Sequence, residues 1–240
     1  MTVEVCLSPK LYFDKLTTGR FVTVITDIFR ATTSVVAALD YGVASIIPVE
    51  NLDEAHVLKE QGFVVAAERE GKKIDFADIG NSATEFFKPE LIGETIVYST
   101  TNGVKAIQMA ADAEAIALGA FMNLSAVAKW VMEQQLPVLI FCAGWKNKVN
   151  LEDTLFAGAL TELLINDHGF TTDSDAAHLA YDVWQCAKDN ILEYIEKASH
   201  RHRLAHLIDH EMLKYTFTPD SSKIVPVYKE GKLVAVPELI

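Results

Sequence analysis

The stretch Phe21-Val22-Thr23-Val24-Ile25-Thr26-Asp27-Ile28-Phe29-Arg30-Ala31-Thr32-Thr33-Ser34-Val35-Val36-Ala37-Ala38-Leu39 sets the plan of the chain. Its first five residues are β-branched or aromatic, which suits a pleated, buried strand. A polar turn follows at Thr26 to Arg30, and then an apolar run long enough for a helix. The same order recurs downstream. Residues 63–67 lead into Glu68-Arg69-Glu70-Gly71, and residues 95–98 lead through Ser99-Thr100-Thr101-Asn102-Gly103 into a helical stretch at 104–111. Residues 137–141 lead through Cys142-Ala143-Gly144 and a loop into a helical stretch at 151–165, and 45–49 and 115–118 are further strand candidates.

Short apolar runs alternating with helical patterns predict an α/β fold, with a largely parallel or mixed sheet covered by helices. The last third differs: residues 174–213 are mostly helical in pattern, and 224–228 and 233–236 flank Glu230-Gly231-Lys232 as a short C-terminal hairpin. Pro226 suits an edge strand, because proline cannot donate to a ladder. No linker-like composition interrupts the chain. It reads as a single α/β domain over residues 1–240, the variant plan being two intimately packed lobes that meet near residues 120–140.

Composition narrows the function. The net charge of −12 opposes binding to nucleic acid or to an anionic membrane. Residues 113–130 are apolar but broken by Glu114, Asn123 and Lys129, so they read as strand, loop and helix, not as a span. Met1-Thr2-Val3-Glu4-Val5 lacks a basic n-region and an apolar h-region. Cys6, Cys142 and Cys186 are odd in number and widely spaced, which fits reduced thiols and a cytoplasmic setting better than disulfides or zinc. The sequence does not fix the oligomeric state, and a homo-oligomer is compatible with it.

In open α/β sheets, ligands bind beyond the carboxyl ends of the strands. Here those ends carry Asp27, Arg30, Thr32 and Thr33, then Glu68 and Arg69, then Asp78, Gly80, Asn81 and Ser82. Thr100, Thr101, Asn102 and Gly103 follow, and finally Cys142, Gly144, Lys146, Glu152 and Asp153. Magnesium takes one or two carboxylates plus water and phosphate oxygens, and phosphate takes guanidinium forks and backbone N–H groups. One pocket with both would suit phosphoryl chemistry. Each residue also has a plainer reading. Asp27 is a candidate helix cap, Ser82 with Glu85 a capping box, and Glu68 to Lys73 a charged turn. Glu152 and Asp153 suit the first turn of a helix, where the macrodipole favours carboxylates. His202, His206 and His210 at i,i+4 spacing fit a solvated or interface face better than a metal stripe.

Familiar phosphatase signatures fail. Asp27 is followed by Ile28 and Phe29, so the Asp-x-Asp of haloacid-dehalogenase enzymes is absent, and Lys148 stands where a cysteine phosphatase needs arginine after Cys142. There is no GxxxxGK[ST] and no Gly-x-Ser-x-Gly.

The chain resembles the 2-phosphosulfolactate phosphatase family. The resembling blocks are Asp27-Ile28-Phe29-Arg30-Ala31-Thr32-Thr33, Glu68-Arg69-Glu70-Gly71, Asp78-Ile79-Gly80-Asn81-Ser82 and Ser99-Thr100-Thr101-Asn102-Gly103. They continue with Gly119-Ala120-Phe121-Met122-Asn123, Cys142-Ala143-Gly144 and Leu151-Glu152-Asp153-Thr154-Leu155-Phe156-Ala157-Gly158-Ala159, with a weaker tail match at Ser199 to Leu204 and Val225-Pro226-Val227, in register over nearly the whole chain. The resemblance implies an α/β fold unlike the well-known phosphatase folds. It also implies Mg²⁺-dependent hydrolysis of 2-phospho-3-sulfolactate, a small anionic substrate, on a route toward coenzyme M. The alternatives are a phosphatase for another phosphorylated hydroxy acid and a non-catalytic anion-binding protein of the same fold. Combined with the chemistry above, the expected metal set is Asp27, Glu68, Glu152 and Asp153, and the expected catalytic set is Asp27, Arg30, Arg69 and Glu152. Substrate contacts are expected from Thr32, Thr33, Asn81, Ser82, Thr100, Thr101, Asn102, Gly103, Cys142 and Gly144. The chain departs from the pattern at Ala83, where the family has proline. It departs again at Trp145-Lys146-Asn147-Lys148-Val149-Asn150, where small, Gly-rich sequence is expected, and at Tyr215-Thr216-Phe217.

Overall fold

The computed structural model describes residues 1–237. Its strands are β1 (Val3–Cys6), β2 (Val22–Thr26), β3 (Ser45–Pro48), β4 (Val64–Arg69), β5 (Lys72–Lys73), β6 (Thr95–Ser99), β7 (Ala115–Gly119), β8 (Val138–Cys142), β9 (Ile224–Lys229) and β10 (Lys232–Pro237). The helices are α1 (Ala31–Tyr41), α2 (Leu52–Glu60), α3 (Gly103–Met109), α4 (Leu124–Gln134), α5 (Leu151–Asn166), α6 (Asp175–Ala187), α7 (Ile191–Ile195), α8 (Ser199–Arg203) and α9 (His210–Thr216).

The strands form one mixed sheet in the order β1-β8-β2-β7-β9-β10-β3-β6-β4-β5. Two parallel groups, β1-β8-β2-β7 and β3-β6-β4, flank the antiparallel β9–β10 hairpin. β2 and β8 are buried along their whole length, as strands covered on both faces must be. The C-terminal hairpin is therefore present, but it lies in the middle of the sheet and joins its halves. β9 runs antiparallel to β7 and β10 antiparallel to β3. Pro226 is thus not on an edge strand. It pairs with Ala235 of β10, while the β7 ladder reaches only Val227 and Tyr228, so the missing N–H forfeits no bond there.

The hairpin also reverses strand direction between the halves. Right-handed twist of about 20–25° per strand, accumulated over the five steps from β2 to β6, turns the second group through more than a right angle. The loops after β2, β4 and β6 can then face one another. Ile25, Ile46, Ile96 and Leu233 are fully buried in one cluster that ties both halves to the hairpin. Each such side chain contributes roughly 1.5–3 kcal/mol by burial. The histidine stripe does not form: α8 ends at Arg203 and α9 starts at His210, so His202 and His210 belong to separate helices. Among the described residues no helix is long and apolar enough to cross a membrane.

Candidate active site

The turn between β2 and α1 is tied down by its own hydroxyls. Thr32 N–H donates to Asp27 O at 3.0 Å, Asp27 N–H donates to Thr32 Oγ1 at 3.0 Å, and Thr33 Oγ1 donates to Ile28 O at 3.0 Å. Thr32 and Thr33 therefore shape the turn and do not line the pocket beside it. That pocket is lined by Asp27, Phe29, Arg30, Glu68, Glu70, Gly71, Asn81, Thr100, Thr101, Asn102, Trp145, Lys146, His200, Arg203 and Leu204. It draws on the loops after β2, β4, β6 and β8 and on α8.

Asp27 is buried at the floor. Burial first, then the charges of Asp153 and Glu68, raise its carboxyl above the ordinary range, although His200 and the Ala31 N–H work the other way. Asp153 is also fully buried and raised, by burial and then by Glu152. Its two oxygens accept N–H bonds from Ile28 at 2.9 Å and Gly144 at 3.0 Å. Paired N–H donors favour the ionised form but burial outweighs them, so both carboxyls stay above the ordinary range. Asp153 thus clamps the Asp27 turn to the loop after β8 from behind the pocket.

Glu68 braces two other loops. Its Oε2 accepts from Gly71 N at 2.7 Å, and its Oε1 accepts from Thr101 N at 3.0 Å and Thr101 Oγ1 at 3.1 Å. Asn81 is buried; its Oδ1 accepts the Tyr98 hydroxyl, which leaves its Nδ2 as a donor for an anion. Thr100 Oγ1 is buried and has no partner among the described residues. After β8, Gly144 has φ +60, and a Cβ there would stand 2.3 Å from Lys148 O, so only glycine fits. Trp145 and Lys148 exchange N–H···O bonds of 3.2 and 3.0 Å around Lys146 and Asn147, both at positive φ, in a type I′ arrangement.

Several expected site residues lie elsewhere. Arg69 sends Nη1 to Glu68 O and Ser99 O, and Nη2 to Glu50 O and Ser99 Oγ, at 2.7–3.2 Å, so its fork is spent on the scaffold. Ser82 N–H donates to Glu85 at 3.0 Å in the capping arrangement, and the residue faces a different cleft. Cys142 is fully buried, and burial pushes its thiol well above the ordinary range. Gly103 borders the site without lining it: an added Cβ would lie 2.6 Å from Ala31 Cβ and 3.5 Å from both Asp27 Oδ2 and Thr100 Oγ1, so glycine packs α3 against the β2 turn. Glu152 points at His200, with Oε1 2.5 Å from Nδ1, and does not line the pocket.

The four carboxylates expected to share a metal do not converge: among the described residues no group of three or more His, Cys, Asp or Glu is arranged around one cation position. Asp27 and Glu68 alone of the four reach the pocket. That pair still matches magnesium, which needs only one or two protein carboxylates when phosphate oxygens and water complete its shell.

Sequence reasoning missed His200 and Arg203. Two signals were available: both residues fall in the resembling tail block Ser199 to Leu204, and arginine is scarce, with five in the chain. Arg20 pairs with Glu114 at 3.0 Å, Arg201 with Glu196 at 3.4 Å, and Arg69 is spent on the backbone. Arg30 and Arg203 have no carboxylate partner among the described residues, and both line this pocket.

A family described as 2-phosphosulpholactate phosphatase matches residues 6–231. A Caldanaerobacter subterraneus protein named "Probable 2-phosphosulfolactate phosphatase" is 34% identical over 87% of this chain and 88% of its own length. Proteins of the same name from Thermotoga maritima (34% identical, 88% of this chain, 90% of theirs) and Prochlorococcus marinus (33%, 86% and 88%) are similar throughout. With matches of this extent, the chain belongs to the 2-phosphosulfolactate phosphatase family.

Proposed function

We propose that this protein hydrolyses the phosphomonoester of 2-phosphosulfolactate to sulfolactate and inorganic phosphate, in the cytoplasm and with magnesium. The observation that carries the reading is the convergence in one pocket of two guanidinium groups that lack a carboxylate partner with a buried carboxyl held above its ordinary range. The relatives' names supply the substrate.

Asp27 and Glu68 would hold the magnesium ion. When bound, the ion neutralises charge on the phosphoryl oxygens and polarises water. Arg30 offers a planar fork to the remaining phosphoryl oxygens, and Thr100 Oγ1 and Asn81 Nδ2 add neutral donors. Their value lies in pre-organisation: the Thr32 and Thr33 hydroxyls fix the Arg30 turn, and Tyr98 fixes Asn81. Asp27 orients the attacking water opposite the leaving oxygen. As water attacks phosphorus in line, the ester P–O bond breaks; one water proton passes to Asp27 and on to solvent, the other stays on the released phosphate, and the departing oxygen takes a proton from solvent.

Phosphate release from 2-phosphosulfolactate, assayed with magnesium and with EDTA, tests the reading. Turnover that is abolished by EDTA and restored by excess magnesium is expected. Full turnover in EDTA removes the metal, and no turnover under any metal removes this substrate. Trp145 stands where the family pattern is small and Gly-rich, and it lines the pocket, which favours a second reading with a different phosphorylated hydroxy acid. Carboxylated analogues in the same assay decide between the two.

A further inference from the structure

Beside Phe29 of the β2 turn, whose ring meets His200 edge-on at 6.1 Å, side chains from two segments, Trp145 and Glu152 from one and His200 and Arg203 from the other, form one cluster. The Trp145 ring lies 5.9 Å from the His200 ring at 24°, and the Arg203 guanidinium carbon sits 4.5 Å from the Trp145 centroid. Arg203 Nη2 also meets His200 Nε2. Because a guanidinium can only donate, Nε2 must accept, and the ring's one hydrogen sits on Nδ1. Nδ1 then donates to Glu152 Oε1 at 2.5 Å. His200 is 3% exposed and Glu152 fully buried, so the anchor is rigid. This Glu152–His200–Arg203 chain fixes one edge of the guanidinium, and Trp145 supports its face. Arg203 Nε–H is buried and has no partner among the described residues.

Nothing in the phosphate-binding scheme uses Arg203. Arg30 and Arg203 line the same pocket; burial lowers the Arg203 guanidinium, Glu68 works against that, Arg30 adds to it, and Glu70 and Glu152 oppose it. Two guanidinium groups that line one small cavity, neither ion-paired among the described residues, suit a ligand with two anionic groups. We propose that Arg203 is the specificity-determining residue that binds the substrate's second oxyanion, a sulfonate or carboxylate, with Glu152, His200 and Trp145 as the residues that position it. The proposal rests on the phosphomonoester reading of the same pocket, and it moves Glu152 from metal ligand to support.

Calorimetry and steady-state kinetics on the whole protein test it. The ligands are inorganic phosphate, sulfolactate and lactate; the substrates are 2-phosphosulfolactate, phospholactate and the phosphate ester of a neutral alcohol of similar size. Arg203→Ala and Arg203→Lys should weaken sulfolactate or lactate binding about tenfold to a hundredfold more than phosphate binding. They should raise KM for the matching acid ester by a similar excess over the neutral ester. The acid that shows the excess identifies the group bound. Glu152→Gln should move the same ratio in the same direction by a smaller factor, whereas a merely structural role would lower Tm and leave the ratio unchanged. Equal losses on all ligands, no loss, or a greater loss of phosphate overturns the proposal, as does wild-type protein that binds neither acid. Wild-type protein that binds an acid through Arg203 and hydrolyses no ester upholds it while refuting the phosphatase reading.

Discussion

Asp153 shows how a single buried carboxylate can organise a site without entering it. It accepts N–H bonds from Ile28 and Gly144, which lie on the two loops that present Asp27 and Trp145. Hydrogen bonds to a charged acceptor are worth about 1.5–3 kcal/mol each, and the nearby charges of Asp27 and Glu152 offset part of that. Asp153→Asn replaces one acceptor with a donor that faces an N–H group. It should cost about 2 kcal/mol, a fall in Tm of about 4–8 °C for a chain of this size, measurable by thermal melting. Asp27 is the opposite case. Its charge is raised in energy by burial and by Asp153, so Asp27→Asn should leave Tm unchanged or higher while catalysis falls. The residue scale is also where sequence reasoning slipped. Glu68 and Arg69 are adjacent in a strand, where neighbours face opposite sides. One reaches the pocket and the other Glu50 O, and nothing in the string Glu-Arg-Glu-Gly says which.

Among the elements, α5 and α6 make the closest helix pair. Gly158 is its contact point: a Cβ there would lie 2.1 Å from Ala180 O and 2.6 Å from Trp184 Cβ. Since a backbone carbonyl cannot swing aside, Gly158→Ala should cost more than about 2 kcal/mol, read by denaturant unfolding. Beside it, Glu162 accepts from Trp184 Nε1 at 2.6 Å, Gln185 Nε2 at 2.9 Å and Lys188 Nζ at 2.8 Å. Burial alone would raise its carboxyl, but these donors outweigh it and hold the group below its ordinary value. A lowered carboxyl contributes stability above the unfolded-state value, near pH 4.3, and loses it as pH falls through the folded value. Glu162→Gln should therefore cost about 1 kcal/mol at pH 7, and the gap to wild type should close below about pH 4 in paired urea titrations. The strand–turn–helix units at β2, β6 and β8 were legible because their apolar runs are dense and their turns polar. β1 is four residues long and α2 is polar on most faces, so neither has a periodicity strong enough to read.

At the scale of the molecule, the sheet assembles a site that no single strand–loop–helix unit contains. Asp27 comes from one parallel group, Glu68 and Thr100 from the other, and the hairpin between them sets the twist that makes them face each other. The placement of Asp27, Arg30, Glu68, Asn81 and Thr100 to Asn102 was legible because ligands collect at strand carboxyl ends. His200 and Arg203 were not, because α8 is five residues long and reaches the pocket only through tertiary packing. The most direct test of a pocket built around Asp27 is phosphate release from 2-phosphosulfolactate with saturating magnesium, wild type beside Asp27→Asn, with Tm recorded for both. A loss of at least about a hundredfold in kcat/KM at an equal or higher Tm is predicted. A variant that keeps wild-type turnover, or loses it only by unfolding, would contradict the account.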